Sequence, residues 1–310
     1  MTAKYLHTLT GPVAANDLGL ILPHEHIFVD LRGPSVPDYA QADAEDVVRL
    51  MKPYLDAAWA AGVTVLIECT PPGVGRNLGV LRRVAELTPI RIVTPTGIYR
   101  EAFTPPALRS LSAERLADMW VKELNEGIEG TPVRAGFIKL AMSDNGPTEI
   151  EIRNLEAATK ASLATGAVIA SHTTNGAIMQ RELRVLEKAG LDLGRFIWVH
   201  ADAEPDPAFH LEAARCGAYV EIDSIGARPD LTAQVNYTVA LIEAGYAGRV
   251  LLSHDAGWYE PGQPSGQPSG GVRGFTALVE DFLPQLRSRR IGEDIIRQIT
   301  VLNPFQAFAW

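Results

Sequence analysis

The sequence predicts an α/β fold, a (β/α)8 TIM barrel, and three observations carry that expectation. Short apolar runs rich in β-branched residues alternate eight times with segments of helical period. The runs are continuously apolar and not alternating, as expected of parallel strands buried on both faces beneath helices. Scarce ligand-type side chains stand at the C-terminal ends of these runs, the face where such a barrel gathers its functional groups. A length of 310 residues suits one large α/β barrel or two ordinary domains, and with no convincing domain boundary a single domain over 1–310 is expected.

Taken in order, the first strand is expected over Gly19–His26, followed by an amphipathic helix over Ala44–Ala60 and a second strand over Val63–Cys69. The third strand is placed at Ile90–Thr96, and Ser112 with an early acid opens a helix over Ser112–Glu126. The fourth strand, Ala135–Leu140, precedes a helix over Glu149–Thr165 that Thr148 caps. Strands five to eight are placed at Ala167–His172, Phe196–His200, Ala218–Asp223 and Val250–His254, with a helix over Leu231–Glu243 before the last. Gly62, Gly166, Gly190 and Gly217 lie where helices end, as left-handed C-terminal positions require. After the eighth strand comes Tyr259–Gly271, holding the doublet GQPSGQPSG. A flexible linker seldom separates a barrel strand from its own helix, so this segment is expected to be a mobile, substrate-covering loop.

Composition excludes several classes. Lys and Arg number 28 against 37 Asp and Glu, a net charge of −9, and the longest basic run is only Arg287-Ser288-Arg289-Arg290, which argues against a nucleic-acid partner. Cys69 and Cys216 lie far apart in apolar contexts, which fits a reducing compartment better than a disulfide framework. No apolar stretch reaches membrane-spanning length and MTAKYLHTLTG lacks a signal-peptide core, so a cytoplasmic protein with no membrane partner is expected.

The chemistry begins with His24-Glu25-His26. Imidazoles at i and i+2 of a strand share a face, and two converging neutral imidazoles are half of a metal site. Of 7 histidines, His172, His200 and His254 also close apolar runs, and Asp255 follows the last. By alternation His254 points away from its neighbour's side and is read as structural. Lys139 lies inside an otherwise apolar strand, where a lysine is rare unless paired or modified. A desolvated lysine amine reacts with carbon dioxide to a carbamate, whose two oxygens could bridge two cations.

This set resembles the phosphotriesterase family of the amidohydrolase superfamily. The likeness runs through LPHEH, GVGRN (73–77), TGIY (96–99), GFIKLA (136–141), SHTT (171–174), SHD (253–255) and NPFQAF (303–308). It implies a binuclear site of two divalent metal ions, zinc first, with cobalt, manganese or iron as alternatives. His24, His26 and Asp255 would hold one ion, His172 and His200 the other, and carboxylated Lys139 would bridge them with a hydroxide that attacks the substrate. Asp255 would also accept a proton, and Tyr99 matches a tyrosine that lies over the metals in lactonase-type relatives. A homodimer is implied as well.

Two departures bear on substrate. Relatives carry GHxxD on the sixth strand, whereas here Asp202 and Glu204 stand two and four residues after His200. After Asp223 comes Ser224, where triesterase-type members show histidine and many lactonases arginine. The expected reaction is therefore hydrolysis of a small-molecule lactone or carboxyl ester, with phosphotriester cleavage at most promiscuous. Trp258 and Tyr259 are expected to touch the substrate. Arg228 and Arg273 would serve the alternative of an anionic substrate such as a phosphorylated sugar lactone. A non-catalytic binding protein on the same barrel is the remaining alternative, and retention of all six ligand-type residues weighs against it.

Overall fold

In the computed structural model, which describes residues 3–310, a hairpin of two three-residue strands, β1 (Leu6–Thr8) and β2 (Gly11–Val13), precedes the barrel. The barrel units follow as β3 (Leu20–Phe28), α1 (Ala44–Ala60), β4 (Val63–Glu68), α2 (Leu78–Glu86), β5 (Arg91–Val93), β6 (Pro95–Ile98) and α3 (Ala113–Asn125). The second half comprises β7 (Phe137–Ala141), α4 (Glu149–Thr165), β8 (Ile169–His172), α5 (Gly176–Lys188), β9 (Phe196–Val199), α6 (Pro207–Arg215), β10 (Tyr219–Ile222), α7 (Thr232–Glu243), β11 (Val250–Leu252) and β12 (Gly257–Tyr259).

Neighbouring barrel strands pair in parallel in the order β12-β3-β4-β5 and β6-β7-β8-β9-β10-β11. The expected third strand is thus two pieces separated at Thr94, where Pro95 has no N–H to continue a ladder. Its lower half pairs with β4 and its upper half with β7. At the other seam Asp255 N donates to His24 O (3.1 Å) and His26 N donates to Ala256 O (2.9 Å), which joins the last strand to the first. Buried Glu25 reinforces that seam by accepting from Ser253 Oγ (2.8 Å), Ala256 N (3.0 Å) and His254 Nδ1 (2.5 Å). His254 Nε2 in turn accepts from Leu278 N (2.9 Å), so His254 is engaged away from the other histidines.

The predicted caps form. Thr148 and Glu151 make a capping box at the start of α4, and Ser112 Oγ accepts from Arg115 N at 3.4 Å. Gly166 ends α4 at φ 91°, and Gly62, Gly190 and Gly217 are likewise left-handed. The hairpin and α2, α5 and α6 were not individually expected.

One register irregularity positions the site. Between Leu22 and Glu25 the pairing of β3 with β4 shifts, around Pro23. The shift inverts the alternation. Ile21 therefore belongs to the apolar interior with Val65, Phe137, Ile197 and Leu251, while Leu22 and Ile27 pack outward under the helices. His24 and His26 then face inward above that apolar floor. No helix among the described residues is long and apolar enough to cross a membrane. Both cysteines are free thiols, Cys69 buried and Cys216 exposed.

Candidate metal centre

His24, His26, Lys139, His172, His200 and Asp255 line one cavity of about 140 Å³ at the C-terminal end of the barrel, together with Tyr99 and Trp258. The strands deliver them from five directions. β3 supplies both residues of the first pair, β7 supplies Lys139 and β8 ends on His172, while His200 and Asp255 lie just past β9 and β11. His200 (φ 61°) and Asp255 (φ 48°) adopt left-handed backbone, a strain that persists where surrounding bonds over-determine it. Here those bonds are His200 N to Asp223 Oδ2 (3.0 Å) and Asp255 N to His24 O (3.1 Å).

Buried acids fix the imidazoles. Asp223 accepts from His24 Nδ1 through one oxygen (2.9 Å) and from His200 Nδ1 through the other (2.8 Å). Thr70 donates its hydroxyl to Glu68, so its oxygen is left to accept from His26 Nδ1 at 2.7 Å. Three histidines therefore carry a proton on Nδ1 and turn Nε2 toward the cavity, the orientation that hydrogen-bond acceptors behind the ring impose on metal-binding imidazoles. His24 Nε2 and His26 Nε2 lie 3.4 and 3.0 Å from Asp255 Oδ1. The His24 and His26 rings are 5.3 Å apart, and those of His172 and His200 4.3 Å.

Electrostatics divides the cluster. Burial, helped by nearby Lys139, pushes His24 down to about 3. Burial opposes charge on His26 too, but bonds to Asp255 and Glu68 outweigh it and raise it to about 9. Burial opposes ionisation of Asp255, yet His24, His26 and His200 hold its carboxyl well below the usual range. Burial and the adjacent His200 keep His172 neutral. Lys139 is only 2 % exposed and its Nζ has no hydrogen-bond partner. The approach of β6 to this residue is close: a side chain at Gly97 (φ 115°) would meet Lys139 O at 2.0 Å, so only glycine fits there.

His172 is bracketed by Tyr99 OH (3.0 Å from Nδ1) and Arg100 Nη2 (2.7 Å from Nε2). Burial pushes the Tyr99 hydroxyl upward, so it stays protonated. Trp258 lines the cavity edge-on to His26, with ring centroids 5.9 Å apart. Arg228 lines a polar cleft that shares His172, His200 and Asp255 with the cavity and adds Asp202, Ser224 and Gln234.

Three expected site features lie elsewhere. Tyr259 is 9 % exposed, stacks on Phe28 and lies against Gly266, so it anchors the rim and does not line the cavity. Arg273 donates Nη2 to the carbonyls of His254 and Asp255, which ties it to the backbone there, and it does not line the cavity. The segment after Tyr259 folds on itself, Glu260 N donating to Gly266 O at 2.8 Å, and packs on α1 without lining the cavity. Of the two acids after His200, Glu204 accepts from Gly176 N and Asp206 N. Asp202 accepts from Ser224 and is raised by burial to about 6.

Sequence reasoning missed Asp223, Glu221, Glu68, Thr70 and Arg100. The signal that singled out Lys139, a charged residue inside an apolar strand, applies equally to Glu68 and Glu221, which are 0 % and 1 % exposed.

Comparison with known proteins places these residues in context. The model of the phosphotriesterase family matches residues 4–308. A phosphotriesterase homology protein from Escherichia coli is 30% identical, covering 94% of this chain and 98% of its own. An aryldialkylphosphatase from Saccharolobus solfataricus is 28% identical over 96% of this chain and 97% of its own. Among solved structures, a mutant of a phosphotriesterase-like lactonase from Deinococcus radiodurans superposes with a TM-score of 0.87 at 34% identity, covering 99% of this chain and all of that one.

Proposed function

The chain belongs to the phosphotriesterase family and is a hydrolase, and from that premise we propose that it is a binuclear metal enzyme cleaving a lactone or carboxyl ester. The observation that carries this reading is the convergence of four histidines, Asp255 and an unpartnered buried lysine on one cavity. A bare ammonium buried without a partner is unfavourable. Carboxylation would turn Lys139 into an anionic ligand whose charge bound cations would offset. The donor set therefore fits two divalent ions, zinc first, with cobalt, manganese or iron as alternatives. His24, His26 and Asp255 would hold one, His172 and His200 the other. When bound, the cations supply charge that polarises an acyl oxygen and lowers the pKa of water.

The remaining steps belong to the chain. Asp223 and Thr70 hold three imidazoles in the ligating tautomer. Asp255, whose side chain is 36% exposed at the cavity, accepts the proton of the attacking water. The Tyr99 hydroxyl, kept protonated beside His172, donates a hydrogen bond to a substrate oxygen. Val29, Leu31, Val74 and Trp258 form the apolar wall that takes the acyl portion. Ser224 is committed to Asp202 and Gln234, which leaves a hydroxyl bonded to a carboxylate and an amide where a triesterase-type site presents histidine. The test is metal analysis followed by a panel of lactones, aryl esters, phosphotriesters and phosphorylated lactones. About two metals per chain and preference for lactones or esters support the reading. A protein without tightly bound metal, or one fastest on phosphotriesters, sinks it.

A further inference from the structure

Arg100 has no part in the chemistry described so far, yet its head group touches a candidate metal ligand. Nη2 donates to His172 Nε2 (2.7 Å) and to Asp144 Oδ1 (2.7 Å), and Asp144 is itself held by Thr174 Oγ1 (2.6 Å). The buried Nε has no partner, and among the described residues Nη1 makes no hydrogen bond. A guanidinium with most of its donors unused, one of them buried, has capacity for a further acceptor.

A cation on His172 cannot coexist with this bond. If Nε2 ligates, its lone pair is taken. If Nδ1 ligates, the neutral ring must carry its proton on Nε2, and that N–H then faces the guanidinium N–H. In either tautomer Arg100 loses its acceptor while Asp144 keeps it at the cavity rim. Tyr99 beneath it, with the guanidinium carbon 6.0 Å from the ring centroid, limits where it can move.

We propose that Arg100 is a specificity-determining substrate anchor: released when His172 takes a metal, it binds an anionic group carried by the acyl compound being cleaved. The class of substrate is thereby narrowed to an ester or lactone bearing a second carboxylate or a comparable oxyanion. Arginine suits that task because its planar fork pairs with an oxyanion through two parallel hydrogen bonds. Of the two arginines named earlier for anions, Arg273 gives its Nη2 to backbone carbonyls and does not line the metal cavity, and Arg228 lines the neighbouring cleft and not that cavity. The inference rests on the reading of His172 as a metal ligand.

Calorimetry with glutarate and valerate, which match in chain length but differ by one carboxylate, tests it on the zinc-loaded protein. Wild type should bind glutarate about tenfold more tightly or better, Arg100→Lys should keep part of that preference, and Arg100→Met should lose it. The same preference in wild type and Arg100→Met, or none in wild type, overturns the anchor. Chelator competition adds a second readout: Arg100→Met should take zinc more tightly, since His172 no longer has to be freed, and unchanged affinity refutes the competition. Hydrolysis of the nitrophenyl monoester of glutarate against nitrophenyl valerate separates the two readings. If the binding preference holds but neither ester is cleaved, the anchor stands and the esterase reading fails.

Discussion

Replacing Asp223 by asparagine removes one charge and no volume, and it interrogates the way the barrel orients its imidazoles. Asp223 accepts from His24 Nδ1 (2.9 Å), His200 Nδ1 (2.8 Å) and His200 N (3.0 Å), so both oxygens are in use. Asparagine keeps one acceptor oxygen and turns an NH2 toward the second imidazole. That imidazole now meets donor against donor. Moving its proton to Nε2 relieves the clash, but it takes the free lone pair out of the cavity. Loss of a hydrogen-bonding carboxylate behind a ligating histidine typically lowers metal affinity about 10- to 100-fold, roughly 1.4–2.7 kcal/mol. The assay is zinc competition against a chelator of known affinity, with circular dichroism to show that the fold is kept. Zinc binding by Asp223→Asn at wild-type affinity in both sites would refute the claim that Asp223 sets the tautomers of His24 and His200.

Three other outcomes follow from the same geometry. Lys139→Ala should empty or disorder the metal site, with partial rescue by carbon dioxide and a short carboxylic acid; full metal content and activity would rule out the bridge. Asp255→Asn should retain some metal but lose turnover by about 10²- to 10⁴-fold together with the acidic limb of the pH–rate profile, and near wild-type turnover would remove Asp255 from the chemistry. Glu182, buried on α5 beneath the hydroxyls of Ser171 and Thr173, is pushed by burial from 4.5 up to about 7. A carboxyl whose folded value is the higher one stabilises the fold below pH 4.5 and loses that contribution as pH rises through about 7, about 3 kcal/mol in all. Denaturant melts of Glu182→Gln should show that decline flattened, and an unchanged pH dependence would count against it.

What the sequence made legible is what carries its own signal. Helix starts were readable because Ser112 and Thr148 satisfy backbone N–H groups locally. His24, His26, Lys139, His172, His200 and Asp255 were readable because each interrupts or ends an apolar run. The first hairpin was not, since three residues per strand are too few to show a period. The split at Thr94 was not foreseen although Pro95 announces it, because the flanking residues are apolar enough to read as one strand. Asp223 was seen only as the end of a run, since nothing local shows that one carboxylate reaches two histidines from β3 and β9. Tyr259 and Arg273 lie outside the cavity for the opposite reason. Their chemistry suits a substrate, but the tertiary structure gives each a nearer partner, the Phe28 ring and the His254 and Asp255 carbonyls. Strand ends specify direction; loop side chains do not.

The buried charges of the barrel mouth make a further argument that no single residue carries. Glu68, Glu221, Asp223 and Asp255 gather about His24 and His26 at this mouth, with Lys139 near Glu221, above an apolar floor. The cluster offsets that excess with protons. Burial and neighbouring Asp223 push the Glu221 carboxyl well up, and His26 is raised to about 9 by Asp255 and Glu68 against the effect of burial. Carboxylation of Lys139 would place a further anion in this cluster. With Glu221 neutral, Asp223, Asp255 and the carbamate would then form an anionic set whose charge divalent cations offset. Placed here, the ions would displace the proton from His26 and relieve the electrostatic penalty that the acids impose on one another. The acids that orient the histidines and the charge that would attract metals are thus the same groups.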